Sequence, residues 1–198
     1  DTTTNAFTGA VSLNATGSTG HVTVVGESGL DLGASTVGGN LVATATTGNI
    51  SDSSNLTVTG TSTFVTGVSG SDIVLDSSGN AFSNAVILRA DDGNETFGNI
   101  TFVDSGEVRV HSSADANGDL YINAATDAAV GGNLSITATT GNITQGSEVA
   151  VGGTSSFTTS ANNADITLNN TNAFTGAVAL NTTGSTGNAL VDNGTTAL

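Results

Sequence analysis

Apolar and polar residues alternate in short runs along most of this chain. The clearest case is Val130 to Gln145, VGGNLSITATTGNITQ, which recurs 93 residues earlier from Val37 to Asp52 as VGGNLVATATTGNISD. Alternation with a period of two is typical of strands that bury one face. The GGN and TGN clusters between the runs favour tight turns, because they supply positive φ and local side-chain hydrogen bonds. The pattern therefore predicts short strands separated by corners.

A unit of 23 residues repeats along the chain. Asp119 to Gly141, Asn142 to Ala164 and Asp165 to Gly187 are consecutive segments of this length, and Asn49 to Ser71 is a further one. When the units are overlaid, apolar residues return at three positions. These are Ile50, Leu120, Ile143 and Ile166 at the second, Val58, Ala128, Val151 and Phe174 at the tenth, and Phe64, Leu134, Phe157 and Leu180 at the sixteenth. Each unit is interpreted as two or three short strands.

A unit this short cannot bury its apolar face alone, but it can when it is stacked on its neighbours. Each strand then pairs with the equivalent strand of the next coil, about 4.8 Å away. The predicted fold is an all-β, right-handed parallel β-helix, or β-solenoid, because parallel crossovers are strongly biased to the right hand. About eight and a half coils would give a rod roughly 40 Å long, with no caps evident in the sequence.

Composition supports this fold over two alternatives. The chain has 27 Gly and no Pro, Cys, Met or Trp. Proline would remove a ladder donor in each coil, so its absence suits a chain made of strands and corners. Disorder is the first alternative, and the hydrophobic content of 36% in fixed register argues against it. A long helix is the second, and no 3.6-residue or heptad period is present.

A longer repeat predicts that residues 1–198 form a single solenoid segment of a longer repetitive chain. Thr4 to Gly20, TNAFTGAVSLNATGSTG, returns at Thr171 to Gly187 with changes at two of 17 positions, an offset of 167. The chain also begins and ends in mid-pattern. Ordinary-looking end coils that act as caps are the alternative.

The VGGNLSITATTGNITQ pattern, together with NLTVTGTSTF and NAFTGAVAL, resembles the repeats of filamentous-haemagglutinin-like proteins. These are large bacterial surface adhesins, many of them exported by two-partner secretion. The resemblance implies a right-handed β-helical stalk outside the cell that serves in adhesion, surface coating or filament formation. It carries no catalytic signature, and the amino-terminal secretion domain of such proteins is not recognisable in the sequence. The absence of cysteine is consistent with export without a disulfide framework.

The charge of the chain limits the classes of partner that it is expected to bind. Seventeen acidic residues face two arginines and no lysine, for a formal net charge of -15. Nucleic acid and anionic membrane surfaces need positive patches, so neither is expected as a partner. No apolar run is long enough to span a membrane. Self-association through stacked coils, end to end or side by side, is expected instead, with surface glycans as a second partner class. An acidic surface also fits a rod that merely stays soluble, or one that attracts divalent cations.

Charged residues concentrate between Arg89 and Asp119, where the 23-residue period breaks down. The segment holds both arginines, His111 and seven acids: Asp91, Asp92, Glu95, Asp104, Glu107, Asp115 and Asp119. A coil of 27 residues, Asp72 to Gly98, leads into it, and a short extra coil, Asn99 to Gly118, follows. Any binding site is predicted on this segment. The alternative is that Arg89 and Arg109 pair with neighbouring acids on a solvated face.

One group in this segment suggests a metal. Asp115, Asn117 and Asp119 place oxygen ligands at alternate positions, as calcium loops do. The remainder of an EF-hand is missing, since Leu120 occupies the glycine position and Thr126 the glutamate position. These three residues are a weak calcium candidate, and an ordinary Asx turn is the alternative. No other cofactor is predicted.

Catalysis and ice binding are weaker interpretations. Asp91, Asp92, Arg109 and His111 could form the acid and base groups of a polysaccharide-degrading β-helix, yet two basic residues offer little to hold a polyanionic sugar. Paired threonines suited to ice occur at residues 44 and 46, 57 and 59, and 137 and 139, but they do not keep one register. We therefore predict a structural, non-enzymatic, extracellular stalk on the bacterial cell surface. A carbohydrate-binding or carbohydrate-degrading module with its site around Arg89–Asp119 is the alternative.

Overall fold

The chain forms a parallel β-solenoid in a computed structural model that describes residues 5–90, 98–111, 120–122, 129–195 and 197. These residues contain 23 strands and no helix, and every strand pair is parallel. The predicted all-β stack of parallel strands is confirmed. Pro-free, Thr-rich and Val-rich runs favour this outcome, because β-branched residues suit a pleated surface.

Most strands are three to five residues long, in agreement with the short apolar runs of the sequence. In chain order they are β1 (Asn14–Ala15), β2 (Val22–Gly26), β3 (Leu30–Leu32), β4 (Ser35–Val37), β5 (Leu41–Ala45), β6 (Ile50–Asp52), β7 (Leu56–Val58), β8 (Ser62–Thr66), β9 (Ile73–Leu75), β10 (Ala81–Phe82), β11 (Val86–Ala90), β12 (Ile100–Asp104), β13 (Val108–His111), β14 (Leu120–Ile122), β15 (Ala129–Val130), β16 (Leu134–Ala138), β17 (Ile143–Gln145), β18 (Ala150–Val151), β19 (Ser155–Asn162), β20 (Ile166–Leu168), β21 (Ala173–Phe174), β22 (Val178–Thr183) and β23 (Ala189–Val191).

The described strands stack into two large and two small sheets. Sheet I has the order β2-β5-β8-β11-β14-β13-β17-β20-β23, and sheet II the order β22-β19-β16-β12-β9-β6-β3. Sheet III is β1-β4-β7-β10 and sheet IV is β15-β18-β21. The seven strands of sheet II correspond to about seven turns, fewer than the eight and a half predicted. The middle coils are longer than 23 residues, since Ile73, Ile100 and Leu134 are successive register partners.

The core is a continuous column between the sheets. Alternate residues of each strand point inward, so β5, β8, β11 and β16 share one pattern in which the first, third and fifth residues are buried. Ile50, Ile73 and Leu88 are each fully buried. Aromatic rings extend the packing along the axis, since Phe82 lies 5.5 Å from Phe102 and 6.1 Å from Phe64 between ring centroids. The core therefore grows with each added coil.

The same sequence motif, VGGNL followed by TGNI, occurs in both halves of the solenoid, but its strands lie in opposite sheets in the two halves. Up to β11, a five-residue strand lies in sheet I, a three-residue strand in sheet II and a third strand in sheet III. From β12 onward the longer strand lies in sheet II, the shorter one in sheet I and the third in sheet IV. The repeated motif is thus turned by half a coil about the axis. The change occurs between β11 and β12, both of which are five residues long.

This exchange corrects the alignment predicted from the sequence. Ile50 does not share a file with Ile143, because Ile50 lies in sheet II and Ile143 in sheet I. Likewise Phe64 lies in sheet I, whereas Phe157 lies in sheet II. The apolar side chains face inward as predicted, but the two halves place equivalent side chains on opposite walls. Ala128 lies outside the described residues.

The asparagine of each GGN or TGN cluster forms a ladder along the axis. The side-chain oxygen of Asn49 accepts the backbone N–H of Asp72 at 2.9 Å, and the Asp72 carboxylate accepts the N–H of Asn99 at 2.7 Å. The ladder continues from Asn99 to Asn133 at 2.9 Å and from Asn133 to Thr154 at 2.8 Å. These side chains satisfy backbone donors at the corners, where the sheet ladders end. The clusters therefore tie neighbouring coils together as well as making turns.

The glycines before these ladder residues permit close backbone approach. An added Cβ on Gly132 would lie 2.5 Å from the Gly98 carbonyl oxygen, and one on Gly153 would lie 2.5 Å from that of Gly132. Gly153 also donates its N–H to the Gly132 carbonyl at 3.0 Å. Neither glycine has positive φ, so at these two positions close backbone approach, and not a left-handed turn, requires glycine. Gly48 of the first TGN cluster does have positive φ, at 90°.

A buried polar pair closes the inner corner of each half. Asp52 is 6% exposed, and its carboxylate accepts the side-chain N–H of the fully buried Asn80 at 2.6 Å. Gln145, 93 residues after Asp52, contacts Asn172 in the same way. The Asn80 oxygen then accepts the Leu56 N–H at 2.8 Å. Each pair satisfies polar groups that the corner removes from water.

We expect Gly153→Ala to destabilise the chain by about 1–3 kcal/mol, because the new methyl group meets a backbone oxygen that cannot move away without breaking the ladder. Urea unfolding followed by circular dichroism measures the change. Gly9→Ala is the matched control, since no atom lies within 4 Å of its added Cβ. Equal stability of the two variants would contradict the close-stacking role of Gly153.

Candidate functional site

The irregular segment of the sequence contains a strand inserted into sheet I. Strand β14 follows β13 in the chain but lies between β11 and β13 in the sheet. Leu120 is therefore the register partner of both Val86 and Val110. The extra element is β14 and not the whole predicted coil of residues 99–118, because β12 pairs regularly with β9 and β16.

A small cleft of about 10 Å³, room for about one water molecule, lies beside this insertion. Both polar and apolar residues line the cleft. The lining residues are Phe82, Asn84, Val86, Phe102, Asp104, Glu107, Val108, Arg109 and Leu120. The predicted segment thus contributes part of this lining, and residues of β10 and β11 contribute more of it.

Asp104 is the most unusual group in the cleft. It ends β12 and is 6% exposed, because it faces inward in phase with Ile100 and Phe102. Its carboxylate accepts the backbone N–H of Phe82 at 3.2 Å. Burial raises the pKa of Asp104 above its ordinary value, and hydrogen bonds from the backbone N–H groups of Phe82, Gly106 and Ser105 offset part of that rise. Asp104 can therefore hold a proton more readily than an exposed aspartate.

Two further charged side chains border the cleft. Glu107 is exposed at the corner before β13, and Arg109 is half-buried on that strand. Val108 and Val110 turn inward on either side of Arg109, which fixes the guanidinium on the outer face. Arg89 lies on β11, and its Nε atom is buried without a hydrogen-bond partner. Both predicted arginines therefore lie in this part of sheet I, but only Arg109 lines the cleft.

His111 does not join these groups. It is 5% exposed and packs against Tyr121 of the inserted strand, with ring centroids 5.7 Å apart. Gly146 of the next coil lies directly over the His111 ring, where any Cβ would overlap it. Asp91 and Asp92, the acids suggested as its catalytic partners, lie outside the described residues. His111 holds the inserted strand in place and is not among the residues that line the cleft.

The predicted calcium ligands Asp115, Asn117 and Asp119 also lie outside the described residues, so calcium binding there stays a prediction. Within the described ranges, no group of three or more His, Cys, Asp or Glu side chains is arranged to hold a metal. The paired threonines predicted not to keep one register are indeed separated. Thr44 lies in sheet I, Thr57 in sheet III and Thr137 in sheet II.

The cleft has room for about one water molecule. Its lining includes the buried Asp104 carboxyl, the exposed Glu107 and the half-buried Arg109. Its volume of about 10 Å³ is far below the roughly 300–1,000 Å³ of sites that enclose a drug-sized ligand. The sequence pointed to this segment through its charge and broken period. It also held a signal for Asp104, since alternation along ITFVD makes Asp104 inward-facing.

We expect Asp104→Asn to change the pH dependence of stability. The folded-state pKa of Asp104 is raised, so the folded protein binds this proton more tightly than the unfolded chain, and stability falls as pH rises through that pKa. The Asp104→Asn variant has no carboxyl group at this position, so it does not lose stability in this way as pH rises. Its unfolding free energy relative to the parent should therefore increase as pH rises from acidic to neutral, measured by urea unfolding across that range.

Asp76→Asn is the control for this experiment, because it removes the same charge from an exposed side chain. Its stability relative to the parent should vary less with pH than that of the Asp104 variant. A pH-independent difference for Asp104→Asn, or one of opposite sign, would show that burial of Asp104 does not govern its titration.

Comparison with known proteins gives one family. A family model described as "Repeats of unknown function (DUF5649)" matches residues 19–89 and 98–181. No curated protein and no solved structure matches the chain. The break between the two matched segments falls where β11 leads into β12 and the motif changes sheets. Since the matches cover well over half of the sequence, the chain belongs to this family of repeats.

Proposed function

We propose that this chain is a rod-building segment of a bacterial surface adhesin or filament, with no catalytic activity of its own. The observation that carries the proposal is the continuity of the ladders. Sheets I and II run through the stack of coils, and one apolar core lies between them. Each added repeat lengthens such a structure and requires no new kind of contact, which is the property that a stalk needs.

The composition of the surface supports the same role. Ladders of asparagine, aspartate and threonine satisfy the corner backbone on the outside, as between Asn142, Asp165 and Asn188. The net charge of -15 disfavours binding to nucleic acid or anionic lipid. No helix among the described residues is long and apolar enough to cross a membrane. Partners under this proposal are other copies of the chain, joined end to end or side by side, and surface glycans.

The extracellular location rests on the resemblance of VGGNLSITATTGNITQ to filamentous-haemagglutinin-like repeats and on the absence of cysteine. Export by two-partner secretion belongs to the same proposal. Under this view the 198 residues are one segment of a longer repetitive chain. The inserted strand and its cleft are then local additions to a rod whose main role is to provide length.

A second candidate is a carbohydrate-binding or polysaccharide-degrading module with its site around Arg89–Asp119. The cleft bordered by Asp104, Glu107 and Arg109 favours it, because acidic and basic residues line it together with Phe82 and Phe102. Its small volume and the scarcity of basic residues favour the structural role instead.

Negative-stain electron microscopy of the native, full-length protein tests the rod proposal. We expect long, unbranched rods a few nanometres wide, built from coils about 4.8 Å apart. Compact particles only about 35 Å long, the height of about seven turns at that spacing, would contradict the proposal and favour the second candidate.

Antibody labelling of intact source cells tests the location. We expect an antibody raised against the 198-residue chain to label intact cells as strongly as permeabilised ones. A cytoplasmic protein of the same cells, labelled in parallel, is the control for membrane integrity. Labelling that requires permeabilisation would place the chain inside the cell and remove the adhesin proposal, while leaving the rod architecture untouched.

A further inference from the structure

His21 occupies a corner position that asparagine holds in the other copy of the long repeat. The offset of 167 aligns TGSTGH, residues 16–21, with TGSTGN, residues 183–188, so His21 stands where the later copy has Asn188. Each of the two residues directly precedes a strand of sheet I, which is β2 after His21 and β23 after Asn188. The sequence difference therefore falls at one defined corner of the coil.

The ring of His21 takes the place of an asparagine side-chain oxygen in a corner ladder. Its Nδ1 atom accepts the backbone N–H of Asn40, in the next coil, at 2.9 Å. The side-chain oxygen of Asn40 in turn accepts the backbone N–H of Thr61, one coil further along, at 3.0 Å. This ladder therefore begins with an imidazole and continues with an amide.

The two corners that His21 joins lie in close contact. An added Cβ on Gly39 would lie 2.7 Å from the Nδ1 atom of His21. The N–H of Gly39 donates to the Gly20 carbonyl at 3.2 Å, and the N–H of Val22 donates to the Asn40 carbonyl at 2.8 Å. His21 itself is exposed to solvent. Protons can therefore reach the imidazole without unfolding of the coil.

The bond from Asn40 to His21 depends on the protonation state of the ring. A neutral imidazole accepts through Nδ1 when its proton is on Nε2, whereas an imidazolium carries a proton on both nitrogens and accepts no hydrogen bond. An imidazole ordinarily gains its second proton at about pH 6.5. A protonated His21 directs one N–H toward another, so the bond is lost. The amide of an asparagine does not titrate in this range.

Within the described coils that pack against His21, no other titratable group faces the corner. These coils contribute residues 10–26 and 33–48, and neither range contains Asp, Glu, Lys or Arg. The nearest charged residues along the described chain, Glu27 and Asp31, follow β2, whereas His21 precedes it. The described neighbours therefore provide no carboxylate that would stabilise an imidazolium at this corner.

We propose that His21 makes the corner before β2 an acid-sensitive joint of the solenoid. Protonation of the imidazole breaks its bond to Asn40 and loosens this corner from the next coil, whereas the following step of the ladder, from Asn40 to Thr61, is unaffected. Of the two copies of the long repeat, the one with His21 responds to acid in this way and the one with Asn188 does not. The inference goes beyond the rod proposal and does not rest on it, because it needs only two stacked coils.

Hydrogen exchange of the full 198-residue chain, labelled with ¹⁵N and followed by two-dimensional NMR, tests this proposal. We expect the protection factor of the Asn40 amide to fall about threefold to tenfold between about pH 8 and about pH 5, as the loss of one hydrogen bond predicts. The Thr61 amide is the internal reference and should keep its protection factor. His21→Ala should show, at the upper end of this pH range, the low Asn40 protection that the parent shows at the lower end.

His21→Asn is the matched variant, because it introduces the residue of the later copy and leaves His111 and Asp104 unchanged. It should keep the Asn40 amide protected across the pH range with the remaining spectrum in place. The proposal is overturned if Asn40 protection in the parent does not fall relative to Thr61, if His21→Asn shows the same fall, or if His21→Ala protects Asn40 as the neutral parent does. An equal loss of protection at Thr61 also overturns it, since the acid effect would then belong to the whole fold.

Discussion

Every coil of this solenoid depends on close parallel pairing with the coils on either side. A single unit has two or three short strands and cannot satisfy its own backbone or bury its own apolar residues. Stacking supplies both, because strands such as β16 pair with β12 on one side and β19 on the other. The GGN glycines allow the corners to approach as closely as the strands do. The asparagines that follow complete the corner hydrogen bonds. The local turn and strand residues are thus selected by the same requirement for close stacking of neighbouring coils.

The exchange of the motif between sheets follows from this constraint. The stack needs inward apolar residues, close corners and a satisfied backbone on both walls, and it does not distinguish one wall from the other. The same sequence, VGGNL followed by TGNI, therefore works when its longer strand is β5 in sheet I or β16 in sheet II. The buried pairs Asp52 with Asn80 and Gln145 with Asn172 show that inner corners are exchanged along with the strands.

Concave features arise where the exchange disturbs the stack. The cleft at Asp104 lies beside β14, which enters sheet I out of chain order. A regular solenoid offers mainly flat, polar faces, so concave sites depend on such irregularities.

The sequence by itself determined the parallel solenoid, the strand positions and the inward-facing residues. Period-two alternation and a 23-residue repeat are local signals, and residues such as Ile143 and Ile166 pair as the repeat predicts. The sequence also located the irregular segment through its charges, and alternation along ITFVD holds the signal that Asp104 faces inward. It did not determine which wall each strand joins, because the same motif fits both. The order of β14 in sheet I and the burial of His111 depend on neighbours distant in sequence. Only the tertiary structure decided those features, since they follow from which coil lies against which.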